Sequence, residues 1–337
     1  MDFLDRAAWR GFLGRISGLA AVAALLTGYG PAAPQDAALL PPQIKTTVDY
    51  VRVPVSALDE NQQPILDLTA ADFDLYDEGQ PKTIQNFVLD ARPVHVLFLL
   101  DASGSTREEL PQIRYATIRF AQHFSAEDRM AAAAFSDRLI LLQDWTGDFK
   151  RLRKSLKRLE PGYRTALWDS LAQVVKEKLA GLSGKRAVIL VTDGLDNESS
   201  TRYADLMPLL TREEITLYIV SRSRLAAREI ERDERVQFLD QVMRNLLDEN
   251  ESFVTAYFRD KEAALETLAA VNGGRVFYPP SLPALGQVYV QIARELKTQY
   301  VLTFPATTGG EKEYRRIRVE CRRPVGRLVY RRMYYAK

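Results

Sequence analysis

The sequence predicts an α/β protein: a doubly wound, mostly parallel sheet, inserted in or flanked by a small β-sandwich built from N- and C-terminal strands. Three observations carry this reading. Residues 94–100 (VHVLFLL) form a continuous apolar run, as a parallel strand covered on both faces requires. Similar runs then alternate with helical patterns as far as residue 298, which implies β–α crossovers onto one sheet. Over residues 44–92 and 299–337 the pattern is β-like, with apolar and polar positions alternating.

Taken in order, Val51, Val53 and Val55 alternate with Arg52 and Pro54, and residues 59–63 supply turn chemistry. A second turn falls at residues 77–79, and residues 84–89 read as a further strand. So few short strands bury too little apolar surface to fold alone, so they need a partner. After the strand at 94–100, Ile113, Ala116, Phe120 and Phe124 recur at helical spacing. Residues 131–135 and 139–142 flank a short turn and read as a hairpin, and Phe149, Leu152, Leu156 and Leu159 form one helical stripe. A helix is expected over 166–179, then a strand at 187–192, a helix at 204–211 and a strand at 215–220. Residues 224–250 read as a charged helical insertion. A helix over 261–271 stops at Asn272–Gly273, a left-handed cap signal. A strand at 275–278 and a helix at 285–298 close the core. The β pattern then resumes at 300–304, 314–321 and 328–335, and these strands are expected to pair with residues 44–92.

The N-terminus differs from the rest. Arg6, Arg10 and Arg15 precede an uncharged run over 16–35 with its apolar centre at 19–26 and small residues around Gly30, Ala32 and Ala33. That order is the one of a secretory signal. Residues 1–33 are read as a signal peptide or an uncleaved N-terminal anchor and 34–43 as a linker, which makes the chain exported: periplasmic, cell-surface or secreted. No cysteine lies near the end of the apolar run, so a lipoprotein anchor is not expected.

Composition narrows the chemistry. In 337 residues, 46 Lys and Arg against 44 Asp and Glu give a net charge of +2, so no global field points to nucleic acid. One cysteine, Cys321, excludes an intrachain disulfide framework and any multi-cysteine metal site. Only His95 and His123 are available as histidine bases or ligands. Carboxylates, hydroxyls and backbone remain.

In open α/β sheets, sites form at the carboxyl ends of strands. The first core strand runs into Asp101-Ala102-Ser103-Gly104-Ser105, the loop before the 166 helix is Pro161-Gly162-Tyr163-Arg164-Thr165, and the next strand ends Thr192-Asp193-Gly194. These are hard oxygen donors in three loops. Hydroxyls with a few carboxylates suit Mg²⁺, which keeps several waters. Neutral hydroxyl ligands leave such an ion electrophilic enough to take a further carboxylate from outside.

DASGS at 101–105, Thr165 and the TDG of Asp193 resemble the metal-ion-dependent adhesion site (MIDAS) of von Willebrand factor type A (VWFA) domains. The family's DxSxS maps onto Asp101, Ser103 and Ser105, its loop threonine onto Thr165, and its last aspartate onto Asp193. The resemblance implies that Ser103 and Ser105 bind the metal directly and that Asp101 and Asp193 act through water. It further implies that Thr165 engages once ligand is bound, and that a partner's Asp or Glu completes the shell. LTAADFDLYDEGQPKTIQNFVLD before the core, and NGGRVFYP, QYVLTFP and YRRIRVECRRP after it, resemble the VWFA-related family of exported bacterial proteins. Residues 222–260 match that family least well.

Other features have blander readings. Asp196, Asn197 and Glu198 are expected to cap the next helix rather than tune a metal. Trp168 is equally suited to helix packing and to a ligand surface. His95 in an apolar strand and His123 beside Phe120 and Phe124 are structural. No G-x-S-x-G elbow surrounds Ser103 or Ser105, and Asp101 lacks the second aspartate of a phosphatase nucleophile motif. The basic residues Lys150, Arg151, Arg153, Lys154, Lys157 and Arg158 make a solvated helix face. Ten Lys and Arg against three Glu in residues 311–337 are outward strand positions, and Cys321 is an inward, inert one.

The expected function is an exported, non-enzymatic, divalent-cation-dependent protein-binding module of the adhesion type. Mg²⁺ or Mn²⁺ bridges to a carboxylate of a partner protein, and Ser103, Ser105 and Thr165 face that ligand. The alternatives are a structural or assembly component of the cell envelope using the metal for stability, and a metal-assisted hydrolase.

Overall fold

The computed structural model describes residues 49–247, 252–306 and 313–336. The expected signal segment and linker, residues 1–43, lie outside the described residues. In chain order the first strands are β1 (Tyr50–Leu58), β2 (Phe73–Asp77), β3 (Gln80–Lys82) and β4 (Asn86–Leu89). The α/β core opens with β5 (Val94–Asp101), α1 (Leu110–Ala121), β6 (Arg129–Phe135), β7 (Leu139–Thr146) and α2 (Phe149–Ser155). It continues with α3 (Leu167–Val174), β8 (Lys185–Thr192), α4 (Tyr203–Arg212), β9 (Thr216–Ser221), α5 (Ser223–Ile230) and α6 (Glu234–Leu247). It closes with α7 (Phe253–Val271), β10 (Val276–Phe277) and α8 (Leu285–Lys297), after which come β11 (Tyr300–Pro305), β12 (Tyr314–Cys321), β13 (Arg327–Tyr330) and β14 (Met333–Tyr335).

The core sheet has six strands in the order β10-β9-β8-β5-β6-β7. All neighbours pair parallel except β6 and β7, the expected hairpin. From β5 the chain first moves to β6 on one side and later returns to β8 on the other. The two connections leave β5 in opposite directions, so a crevice opens at the carboxyl ends of β5 and its neighbours. Alternate residues of β5 feed both faces. Val96, Phe98 and Leu100 join a core with α1, α2 and α8, while Leu97 and Leu99 join a second core with α3, α4 and α7. Each such buried side chain contributes about 1.5–3 kcal/mol relative to exposure.

The flanking strands form two four-stranded sheets, β13-β1-β11-β4 and β14-β12-β2-β3. Each mixes strands from before and after the core: β1 pairs antiparallel with β11, and β2 with β12. Val53, Val55, Phe73, Leu75, Leu302, Phe304, Ile317 and Val319 share one apolar core. This unit meets the α/β core at the amino ends of its strands. Lys185 Nζ, at the start of β8, donates to Asp90 O at 3.0 Å and Leu296 O at 2.5 Å. Arg332 N donates to Val271 O at 3.1 Å, and Arg275 pairs with the buried Glu295 while reaching Gln62 Oε1 at 2.9 Å. The carboxyl ends of the sheet are the opposite pole.

Several boundaries differ from the sequence reading. The strand expected from residue 84 begins at Asn86. The helix expected over 166–179 is α-helical only to Val174 and finishes as a π-turn, Val175–Leu179. The helix expected to begin at 261 starts at Phe253, because Ser252 caps it through its hydroxyl on Val254 N. The single charged helix read over 224–250 is two helices, α5 and α6, separated at residues 231–233; residues 248–250 lie outside the described residues.

Candidate metal centre

Strand register sets the site. Asp101 ends β5 opposite Phe135, Leu100 pairs with Val191, and Thr192 pairs with Ser221. Asp101, Asp193 and Arg222 therefore leave three adjacent strands at one level of the sheet. Asp101 is fully buried and spoken for on both oxygens: Ser103 N donates to Oδ1 at 2.9 Å and Thr192 Oγ1 to Oδ2 at 2.9 Å. Asp193 is equally buried and accepts from Leu195 N at 3.0 Å on Oδ1 and from Ser105 Oγ at 2.8 Å on Oδ2. Ser103 Oγ and Ser105 Oγ lie 3.1 Å apart. Four of the five expected residues thus form one connected cluster, buried at Asp101, Ser103 and Asp193 and open to solvent at Ser105.

Thr165, the fifth, is buried in the neighbouring loop, which is fastened on two sides. Gly162 N donates to Ala102 O at 2.6 Å, and a Cβ at Gly162 would meet Ser136 Oγ at 2.3 Å. Thr165 N donates to Asn197 Oδ1 at 2.9 Å, and Thr165 O accepts from Asn197 N and Glu198 N. Asp196 Oδ1 accepts from Leu167 N at 2.8 Å, and Glu198 pairs with Arg164. Asp196, Asn197 and Glu198 therefore do not cap the following helix as the sequence reading expects. They tie the Asp193 loop back to the Thr165 loop and cap α3. Gly194, at φ +84°, allows the turn between.

Burial, and then repulsion from Asp193, push the Asp101 carboxyl up to about 6. Burial pushes Asp193 upward as well, against its hydrogen bonds from Leu195 and Ser105. Two residues that sequence reasoning missed complete the surroundings. Arg222, only 2 % exposed, has a guanidinium nitrogen 3.9 Å from Asp193 Oδ2 and is ion-paired with Glu109 at the start of α1. Burial draws its guanidinium below the ordinary value, with Asp101 and then Glu229 pulling it back. The available signal was positional: Arg222 follows an apolar strand at the same sheet level as Asp193. Thr192, which holds Asp101, stood within the TDG motif without an assigned role.

All donors here are oxygens, as a hard cation prefers. Among the described residues no group of three or more His, Cys, Asp or Glu could hold an ion, so hydroxyls must supply part of any shell. The two buried carboxylates fit a divalent cation for a second reason: burial raises the proton affinity of both, the charge of Asp193 raises that of Asp101 further, and a bound cation would relieve this. Ser103, Ser105 and Thr165 would hold such an ion, with Asp101 and Asp193 behind them.

The remaining side chains divide as follows. His95 packs edge-on against Trp145 at 5.2 Å, and burial lowers its imidazole below the usual value. It stands six residues before Asp101 on β5, or about 20 Å along the strand. His123 lines a groove between α1 and α8 with Tyr115 and Pro283. Trp168 packs against Tyr203 and the second core, which decides for helix packing. The six cations from 150 to 158 are exposed. In β12 Arg315 pairs across strands with Asp77 at 3.0 Å and Arg318 with Glu320 of its own strand, and Arg322 just after it pairs with Asp74 at 2.6 Å. Cys321 is half-buried against the sandwich core rather than fully buried, because it ends its strand.

Residues 96–195 match the family model of the von Willebrand factor type A domain. No curated protein matches the sequence. Among solved structures, a von Willebrand factor type A protein from Catenulispora acidiphila is 11 % identical with a TM-score of 0.45, over 86 % of this chain and 72 % of that one. The vWF domain of the type V pili tip protein Mfa5 from Porphyromonas gingivalis is 21 % identical with a TM-score of 0.30, over 32 % and 40 %. Proximal thread matrix protein 1 from the mussel byssus, with a zinc-occupied MIDAS motif, is 17 % identical with a TM-score of 0.44, over 65 % and 49 %. The chain thus covers less than half of the pilus and byssus chains.

Proposed function

We propose that the chain is an exported, divalent-cation-dependent protein-binding module, in which a metal at the carboxyl end of the sheet bridges to a carboxylate of a partner protein. In this reading residues 1–33 are a signal peptide or anchor and 34–43 a linker. Residues 93–298 are the von Willebrand A domain, and 44–92 with 299–337 are the two halves of the carrying β-sandwich. Mg²⁺ or Mn²⁺ is the ion.

The observation that carries the proposal is the connected cluster of Asp101, Ser103, Ser105 and Asp193, which is buried at its carboxylates and open at a hydroxyl. When bound, the ion supplies a Lewis-acidic corner for an incoming carboxylate. Asp101 and Asp193 orient water and balance charge, Ser105 presents the site to solvent, and Thr165 stands ready in a loop braced by Asn197. The rim suits an acidic partner: Tyr163 is 85 % exposed, and the Arg107 guanidinium lies 5.9 Å from its ring centre. A non-enzymatic role is supported by the hydroxyls being bonded to one another and to Asp193, with His95 packed on Trp145 and His123 exposed in the groove between α1 and α8.

The test is capture of partners from an envelope extract with the full exported chain. Capture is expected in Mg²⁺ or Mn²⁺ and is expected to disappear in EDTA and with Asp101→Ala, while circular dichroism stays native. Undiminished capture by Asp101→Ala defeats the proposal.

A further inference from the structure

We propose that Arg222 is the fixed internal counter-cation of this metal centre, held in place by Glu109, and that it sets how tightly the site takes a divalent ion. The inference rests on the metal-bridging reading above and names a residue outside the five-residue motif.

Arg222 is anchored at both its backbone and its side chain. Its N–H donates to Thr192 O at 2.8 Å, one residue before Asp193, and its carbonyl accepts from Leu225 N and Ala226 N as α5 begins. On either side of it, Ser221 Oγ donates to Ser223 Oγ at 2.9 Å and Ser223 Oγ to Glu262 Oε1 at 2.6 Å, which pins the start of α5 to α7. The guanidinium is almost wholly buried, pairs with the buried Glu109, and stands 3.9 Å from Asp193 Oδ2. A buried guanidinium keeps its charge. The centre therefore holds two buried carboxylates, Asp101 and Asp193, with the Arg222 guanidinium beside Asp193 and the buried Glu109 paired to that guanidinium.

That arrangement has two consequences. Without metal, Arg222 offsets part of the repulsion between Asp101 and Asp193, so the site keeps its shape while empty. With metal, the same charge repels the incoming ion, and Glu109 moderates that repulsion by sharing the guanidinium. Arg222 and Glu109 should then act on metal affinity with opposite signs. A purely structural pair would not do so, since losing either partner would loosen the site alike.

The experiment is isothermal titration of Mg²⁺ and of Mn²⁺ into the full chain and its variants at fixed pH and ionic strength, with thermal melts in EDTA as a second readout. Arg222→Met is expected to lower the Kd about tenfold and to depress the EDTA melting temperature by several degrees, a loss that added Mg²⁺ reverses. Glu109→Gln, nearly the same shape, is expected to raise the Kd several-fold. The double variant should fall between them. Binding that weakens in both single variants, or stays at the wild-type value in both, overturns the role of Arg222. If Arg222→Met does not fold even in Mg²⁺, Glu109→Gln decides alone, and an unchanged or lower Kd overturns the inference. Absence of any Mg²⁺ or Mn²⁺ uptake by the wild type is a different result, and it overturns the metal reading itself.

Discussion

Ser105 Oγ donates a 2.8 Å hydrogen bond to Asp193 Oδ2 across 88 residues of chain. The hydroxyl belongs to the turn after β5 and the carboxylate to the end of β8, and parallel pairing of those two strands brings them together. The bond joins the exposed lip of the site to its buried floor.

Ser105→Ala removes this donor and one proposed metal ligand together. The stability cost should be small, about 1 kcal/mol, as for one partly exposed hydrogen bond. Metal affinity should fall at least tenfold. Urea unfolding in EDTA measures the first effect and calorimetric titration with Mg²⁺ the second.

The carboxylate pair gives a pH signature in chelator. Asp101 is raised to about 6 in the folded state, above its ordinary value of 3.8. Between those values the folded protein binds more protons than the unfolded one, so this contribution to stability is complete below about 4 and is lost as pH rises through about 6. Asp193 is shifted in the same direction. In EDTA, wild-type stability should therefore fall relative to Asp101→Asn as pH climbs from 4 to 7. Mg²⁺ should cancel that fall. Paired urea melts of the two proteins across this range give the difference directly, and a wild type that gains on the variant contradicts it.

Gly162→Ala tests the brace between the two site loops. The new methyl would meet the Ser136 side chain at 2.3–2.4 Å, where the loop already bonds to Ala102 O. Overpacking of this kind costs about 1–3 kcal/mol. Thr165 would be carried away from the Ser103 turn. Partner capture should drop more than Mg²⁺ affinity does, because Thr165 is expected to engage with ligand present.

Glu295→Ala probes the opposite pole. Glu295 is 1 % exposed and pairs with Arg275, which also reaches Gln62 of the sandwich. Removing one partner of a buried pair costs about 3–5 kcal/mol. The Kd for Mg²⁺ should not move, since the pair lies at the amino ends of the strands. Denaturant unfolding together with titration separates the two quantities.

Much of this architecture was legible in the residue order. The unbroken run at 94–100 could only be a strand covered on both sides, and the alternating Val51, Val53 and Val55 only a strand with one wet face. The DxSxS turn, Thr165 and TDG identified candidate ligands because each follows or precedes a recognisable element. Helix limits were less legible, since the cap that extends α7 back to Phe253 is a single serine hydroxyl. The roles of Asp196, Asn197 and Glu198 were misjudged for a related reason. Their partners, Leu167, Thr165 and Arg164, are about 30 residues upstream, and local spacing favours the next helix instead.

By itself, then, the amino-acid order determined the strand and helix alternation, the two β flanks, and the oxygen-donor set at three loop ends, because periodicity and turn chemistry act over a few residues. Only the tertiary structure decided that Asp101 and Asp193 are buried together, that Thr192 holds the first of them, and that Arg222, paired with Glu109, stands beside the second. Those relationships depend on strand order and register, which are set by packing between segments far apart in the chain and leave no local mark in it.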